Sequence, residues 1–356
     1  MNIKNNRVLM NLSLLAVAMI LALTGCDGLL DPDEAGNLVP KTVSEDPRLP
    51  HISINGTALH AEAFGDINNP ILVFLHGGPG SDYRAFISQF GSAPASRFPE
   101  ERTVTGGMSQ LQDSFYCVFF DQRGGGLSPR FDKGEVDFDV LVDDLDAVIT
   151  HYIQEKQDAT GIEDTQVYLM GWSYGGLLAT GYINRHPQRV KDVVLYEPAP
   201  LASSVWDYLK ENSETPFTQI GEDWVDEYLL SHDHITSDEH ERADYQALLG
   251  ANRSQPEFHE HPDTPMWRTG AVIGGDNVDF IESDSYDITS NISTAFSGDM
   301  LLIVGELTLN SYPEFPELQR SYYPKSDFVT ITGVGHTGVW EKPDEIAGEI
   351  RSFFAR

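Results

Sequence analysis

The chain is short of cysteine, of cations and of membrane-length apolar runs. Its 356 residues include two cysteines, too few for a disulfide framework. Cys117 lies inside the apolar run Phe115-Tyr116-Cys117-Val118-Phe119-Phe120 and reads as a small buried hydrophobe. There are 23 Lys and Arg against 55 Asp and Glu, a net charge of -32. Such a surface repels phosphate backbones, which excludes nucleic acid as a partner, and repels anionic lipid headgroups. It reads chiefly as a solvated acidic face, and it attracts cationic ligands such as a peptide bearing a free amine. The eleven histidines contain no H-E-x-x-H pair or comparable ligand spacing. His232, His234, His240, His259 and His261 fall in an acidic polar stretch and read as solvated, so no metal site is expected. Internal repeats and low-complexity tracts are also lacking.

At the N-terminus, Lys4 and Arg7 precede a largely apolar, uncharged stretch from Val8 to Leu23. It is too short for a comfortable transmembrane helix, which needs about 20 residues, and reads as a secretory signal. It ends in Leu23-Thr24-Gly25-Cys26, which resembles a bacterial lipobox. That resemblance implies cleavage before Cys26 and lipidation of its thiol, with Asp27 similar to an inner-membrane retention signal. The expectation is a signal peptide over 1–25, then a lipidated N-terminus and flexible polar tether over 26–50 that carries Pro32, Pro40 and Pro47. The expected location is the bacterial cell envelope, with the folded domain outside the cytoplasm and anchored to a membrane through Cys26. With Cys26 lipidated and Cys117 alone, no intrachain disulfide is expected.

Beyond residue 50, strands alternate with helices, which predicts a mostly parallel sheet covered on both faces. His51–Thr57 and Leu59–Phe64 suggest an antiparallel entry hairpin. Leu141, Leu145, Val148 and Tyr152 recur at helical spacing, with Asp143, Asp144 and Asp146 read as the solvated face. Proline at 343 suits the first turn of a last helix. With 40% hydrophobic residues the chain can bury a sizeable core.

The most informative stretch is Gly171-Trp172-Ser173-Tyr174-Gly175-Gly176. An apolar run precedes it and a helical pattern follows. This is G-x-S-x-G at a strand-to-helix turn, where a tight turn holds a serine hydroxyl at a helix N-terminus. Acyl transfer at such a serine develops an oxyanion that needs backbone N–H donors. Tyr174 supplies one, and Gly78 in His76-Gly77-Gly78-Pro79-Gly80 is chosen for the other. Asp121-Gln122-Arg123-Gly124-Gly125-Gly126 lacks the G-K-[ST] ending of a phosphate loop. It reads as a structural loop braced by Arg123. In Gly333-Val334-Gly335-His336, a histidine at the end of a late strand is placed to take the serine proton.

The order H-G-G-P-G, D-Q-R-G-x-G-x-S, G-x-S-x-G-G, G-x-G-H resembles that of the α/β-hydrolases, and its first two motifs resemble the proline iminopeptidase-like branch (peptidase family S33). The resemblance runs from about His51 to the end of the chain. It implies an α/β-hydrolase fold with an inserted helical lid. The core then spans 51–200 and 299–356, and the lid 201–298. Lid carboxylates bind the substrate amino terminus in iminopeptidases; the candidates here include Glu211, Glu214, Glu222 and Glu227. In most family members the triad acid follows the strand after the lid. That position holds Thr308, whose hydroxyl carries no charge. Glu197, ending the strand before the lid, is the preferred substitute, and Glu306 is the runner-up. The expected activity is an acyl-enzyme serine hydrolase (Ser173, Glu197, His336; oxyanion donors Gly78 and Tyr174) with no cofactor. An aminopeptidase of the proline iminopeptidase type is preferred. A carboxylesterase and a non-catalytic binding protein on the same scaffold are the alternatives.

Overall fold

The computed structural model describes residues 33–88, 107–212, 236–250, 265–283, 286 and 288–356. Eight strands form one sheet in the order β1-β2-β4-β3-β5-β6-β7-β8. They are β1 (His51–Ile54), β2 (Thr57–Phe64), β3 (Ile71–Leu75), β4 (Tyr116–Phe120), β5 (Val167–Trp172), β6 (Val193–Tyr196), β7 (Met300–Gly305) and β8 (Ser326–Ile331). β1 pairs antiparallel with β2, and β2 with β4. From β4 to β8 all neighbours are parallel. The entry hairpin turns through Asn55 and Gly56, with φ of 44 and 76, the two positive-φ positions that a two-residue turn matched to strand twist requires.

The central strands are continuous apolar runs because both of their faces are covered. Every residue of β3, β4, β5, β6 and β7 is buried. Side chains alternate between two cores: Ile71, Val73 and Leu75 enter one, Leu72 and Phe74 the other. The parallel crossovers are helical. α1 (Arg84–Ile87) follows β3. α2 (Phe138–Thr160) follows β4, begins where the Asp137 carboxylate accepts the Val140 N–H, and ends at Gly161 with φ of 74. Leu141, Leu145, Val148 and Tyr152 all face the core. Asp144, read as solvated, is instead buried and holds Arg123 through two hydrogen bonds of 2.6 and 2.8 Å. That is the bracing expected of Arg123, and its anchor is the acidic residue that periodicity assigned to water.

α3 (Tyr174–Arg185) follows β5. Then comes the insertion, of which α4 (Ser203–Asn212), α5 (Glu239–Gly250), α6 (Ala271–Glu282) and the short α7 (Ile292–Ala295) are described. The core closes with α8 (Glu306–Ser311), α9 (Phe315–Arg320), α10 (Gly338–Glu341) and α11 (Pro343–Phe354), and Pro343 opens the last helix. Ile346, Ala347, Ile350 and Phe353 seal α11 against the sheet.

Residues 33–50 depart from the expected flexible tether. Val39, Val43 and Leu49 are buried, the Val43 N–H donates to the Leu127 carbonyl at 2.8 Å, and the Asp33 carboxylate accepts from Thr236 and Ser237. Apolar residues spaced among prolines gave no periodic signal, so their burial was not legible. Cys26 and the signal segment lie outside the described residues, as do Glu214, Glu222 and Glu227. Among the described residues, no helix is long and apolar enough to cross a membrane, and no group of three or more His, Cys, Asp or Glu side chains is placed to hold a metal ion.

Candidate active site

Ser173 sits between β5 and α3 with φ of 55, a backbone region costly for any side chain except glycine's hydrogen. The turn is held there by its surroundings. The Ser173 N–H donates to the Tyr196 carbonyl at 3.1 Å, and the Ser173 carbonyl accepts from Gly176 and Ala199 at 2.9 Å each. Gly175 lets α3 press against the end of β3: a Cβ there would lie 1.9 Å from the Leu75 carbonyl oxygen. The glycine two residues after Ser173 is therefore required by a backbone approach.

The loop after β3 closes on the same point. A Cβ at Gly77 would lie 3.0 Å from the Ser173 Cβ and 3.5 Å from its Oγ. Gly78, the chosen oxyanion donor, follows with φ of 127. Tyr174, the other chosen donor, is the first residue of α3. Its buried ring ends in a hydroxyl that donates to the Asn277 side-chain oxygen on α6 at 2.5 Å, and burial pushes that phenol far up. The glycine loop is fixed by His76, which is fully buried. Its Nδ1 lies 2.8 Å from the Gly77 carbonyl and its Nε2 accepts the Gln122 N–H at 3.0 Å. One nitrogen donates and the other accepts, which defines a neutral imidazole, and burial holds its pKa below the usual histidine value. The Gln122 side chain returns to the His76 carbonyl at 2.9 Å.

Glu197 follows β6 with φ of 40 and is buried. Its Oε2 lies 3.1 Å from His336 Nδ1. Its Oε1 accepts the Gly305 N–H at 2.7 Å, and its Oε2 also accepts the Thr308 hydroxyl at 2.9 Å. Three donors on one carboxylate fix its rotamer and leave both oxygens as acceptors. Thr308 thus holds Glu197 from the adjacent strand end. Glu306 does not join this group: its Oε2 accepts the Gly333 N–H at 2.8 Å and so caps the loop that leads to His336.

His336 is the half-exposed member of the cluster. The Trp172 indole N–H donates to the His336 carbonyl at 2.8 Å, and the two rings lie 5.7 Å apart. The Tyr196 hydroxyl donates to the Gly335 carbonyl at 2.6 Å. Residues flanking the serine and the glutamate therefore fasten the histidine loop beside both. The polar tips of Trp172 and Tyr196 carry this role, which composition does not reveal.

The alpha/beta hydrolase family profile matches residues 72–349. Proline iminopeptidase PfmaB of Pestalotiopsis fici is 29% identical over 154 residues, 42% of this chain and 43% of the relative, so the chain matches less than half of that protein's length. The proline iminopeptidase of Thermoplasma volcanium is 25% identical over 295 residues, 77% of this chain and 85% of the relative. Among solved structures, Est816, described as an N-acyl homoserine lactone degrading enzyme, superposes with a TM-score of 0.54 at 20% identity, covering 85% of this chain and 100% of its own. At that identity the likeness is one of fold.

Proposed function

Because the chain belongs to the alpha/beta hydrolase family, we propose that it is a serine hydrolase working through an acyl-enzyme at Ser173. The observation that carries this reading is the Glu197–His336 hydrogen bond of 3.1 Å beside the strained serine turn. In the proposed reaction the Ser173 Oγ adds to the substrate carbonyl carbon as His336 Nε2 takes the hydroxyl proton. Glu197 holds Nδ1–H and stabilises the imidazolium that results. The N–H groups of Gly78 and Tyr174 hold the oxyanion. The tetrahedral adduct collapses as His336 returns the proton to the leaving amine or alcohol. Water, deprotonated by the same histidine, then releases the acid.

The preferred substrate is a peptide or amide with a free amino terminus, proline above others. The names of the two relatives support this, as does the excess of 55 acidic over 23 basic residues, which favours a protonated amine. An esterase uses the same groups, and the structural neighbour Est816 is described as degrading an N-acyl homoserine lactone. The buried Glu197 carboxylate, bonded to both Thr308 and His336, supports a catalytic reading over a silent binding protein. The test is a panel of proline arylamide, other aminoacyl arylamides and short-chain esters, run with the unaltered chain and Ser173→Ala. The highest kcat/KM is expected on proline arylamide, with no turnover by Ser173→Ala. Turnover of short-chain esters alone would replace the peptidase reading with the esterase one. Lipidation at Cys26, with placement in the bacterial envelope, is proposed from the sequence pattern alone.

A further inference from the structure

The segment ahead of the hydrolase core touches the lid base at a buried cation. The Arg268 guanidinium is almost wholly buried. Its Nε donates to Asp244 at 2.6 Å, and its Nη1 donates to the Pro40 carbonyl at 2.9 Å and to Glu45 at 3.3 Å. Glu45 in turn accepts the Thr42 N–H at 2.6 Å. Asp244 is shared. It also takes Arg130 at 2.7 Å, whose other nitrogens donate to the carbonyls of Gly126 and Ser128 at 2.7 Å. Burial by itself would raise the Asp244 carboxyl, but the two arginines outweigh it and hold it below the usual range. One carboxylate therefore ties the glycine loop after β4 to the chain at Arg268.

The backbone at Arg268 reaches the oxyanion loop directly. The Arg268 and Trp267 N–H groups both donate to the Asp82 carboxylate, at 3.1 and 2.5 Å. The Gly80 carbonyl, two residues beyond Gly78, accepts N–H groups from Gly270 at 2.7 Å and from Gly126 at 3.2 Å. The loop of Gly78 is thus gripped from one side by the lid base and from the other by the β4 loop, and both grips meet in Asp244. Residues 40–45 close the outer side of that junction.

We propose that residues 40–45 form a strap that sets the position of the oxyanion loop through Arg268. Arg268 and Asp244 are then positioning residues for the reaction proposed above, on which this inference rests. The strap lies outside the family-matched residues 72–349. Removing a strap contact lets the loop relax, and displacement of a donor by about 1 Å can cost on the order of a hundredfold in rate. Binding of substrate in the ground state is little affected, because the donors act most strongly on the developing oxyanion.

The experiment compares the second-order rate constant for Ser173 modification by a fluorophosphonate in the unaltered chain, Glu45→Gln and Arg268→Gln, together with kcat and KM on the best substrate of the panel. Far-UV circular dichroism at the assay temperature establishes that each variant is folded. The expected result is a fall of about fivefold for Glu45→Gln and of tenfold or more for Arg268→Gln, in labelling and in kcat, with KM unchanged. If Arg268→Gln does not fold, Glu45→Gln, whose side chain reaches the rim, decides alone. Equal labelling by folded Glu45→Gln and the unaltered chain would overturn the strap. So would a fall confined to the unfolding midpoint, which is what a purely structural contact gives. No labelling of the unaltered chain would instead overturn the hydrolase reading, a distinct outcome.

Discussion

Glu197 occupies a backbone conformation with φ of 40 and has three donors on its carboxylate, so its side chain has one place to go. Exchange of one oxygen for an amide nitrogen in Glu197→Gln puts a donor opposite a donor. This should lower kcat by about 10³- to 10⁴-fold with the fold retained. Glu306→Gln keeps an oxygen for the Gly333 N–H and should leave kcat within about twofold, since the loop cap survives. Steady-state kinetics on both variants tests the assignment, and the reverse ranking would transfer the role to Glu306. Thr308→Val removes one charge-assisted bond worth about 1.5–3 kcal/mol. It should lower kcat by roughly tenfold, less than the loss of the carboxylate itself.

At the scale of the element, the loops at the strand ends are set by close backbone approaches. Gly175→Ala would place a methyl 1.9 Å from the Leu75 carbonyl oxygen, so α3 must withdraw from β3. A loss of more than about 2 kcal/mol is expected in urea unfolding, together with loss of Ser173 labelling. The loop after β3 also carries a buried acid. Burial, and then the neighbouring Asp121 charge, push the Asp82 carboxyl up to about 7. The folded state therefore binds this proton more tightly than the unfolded chain, where the value is about 3.9. Its contribution falls as pH rises between about 4 and 7 and is constant above. The urea midpoint of the unaltered chain should drop from pH 5 to pH 7 relative to that of Asp82→Asn. Parallel midpoints across that interval would show that Asp82 is ionised throughout.

Across the whole molecule, the net charge of -32 should draw cationic substrates at low ionic strength. kcat/KM for an aminoacyl arylamide should fall by roughly tenfold between dilute buffer and 0.5 M salt, while that for a neutral ester changes little. Membrane fractionation tests the anchor: the unaltered chain should sediment with membranes, and Cys26→Ala should not. Much of the fold was legible because its central strands are unbroken apolar runs ending in glycine-rich turns. Those turns also carry Ser173, His336 and the loops around them. Less visible was whatever depends on a contact between distant segments. Asp144 looked solvated by periodicity, and its burial follows from a partner, Arg123, twenty-one positions earlier. Thr308 looked like a lost acid, because its use is visible only beside Glu197. Residues 33–50 looked like a tether, because they dock on partners far along the chain, Leu127, Thr236 and Arg268.

Acylation of the Ser173 hydroxyl is the step on which the proposed reaction turns. The most direct measurement is tandem mass spectrometry of the chain quenched during turnover of an activated ester or arylamide, alongside His336→Ala. One acyl group is expected, located on Ser173 and missing from His336→Ala. An acyl group on another residue, or turnover with no covalent adduct and undiminished by Ser173→Ala, would contradict it.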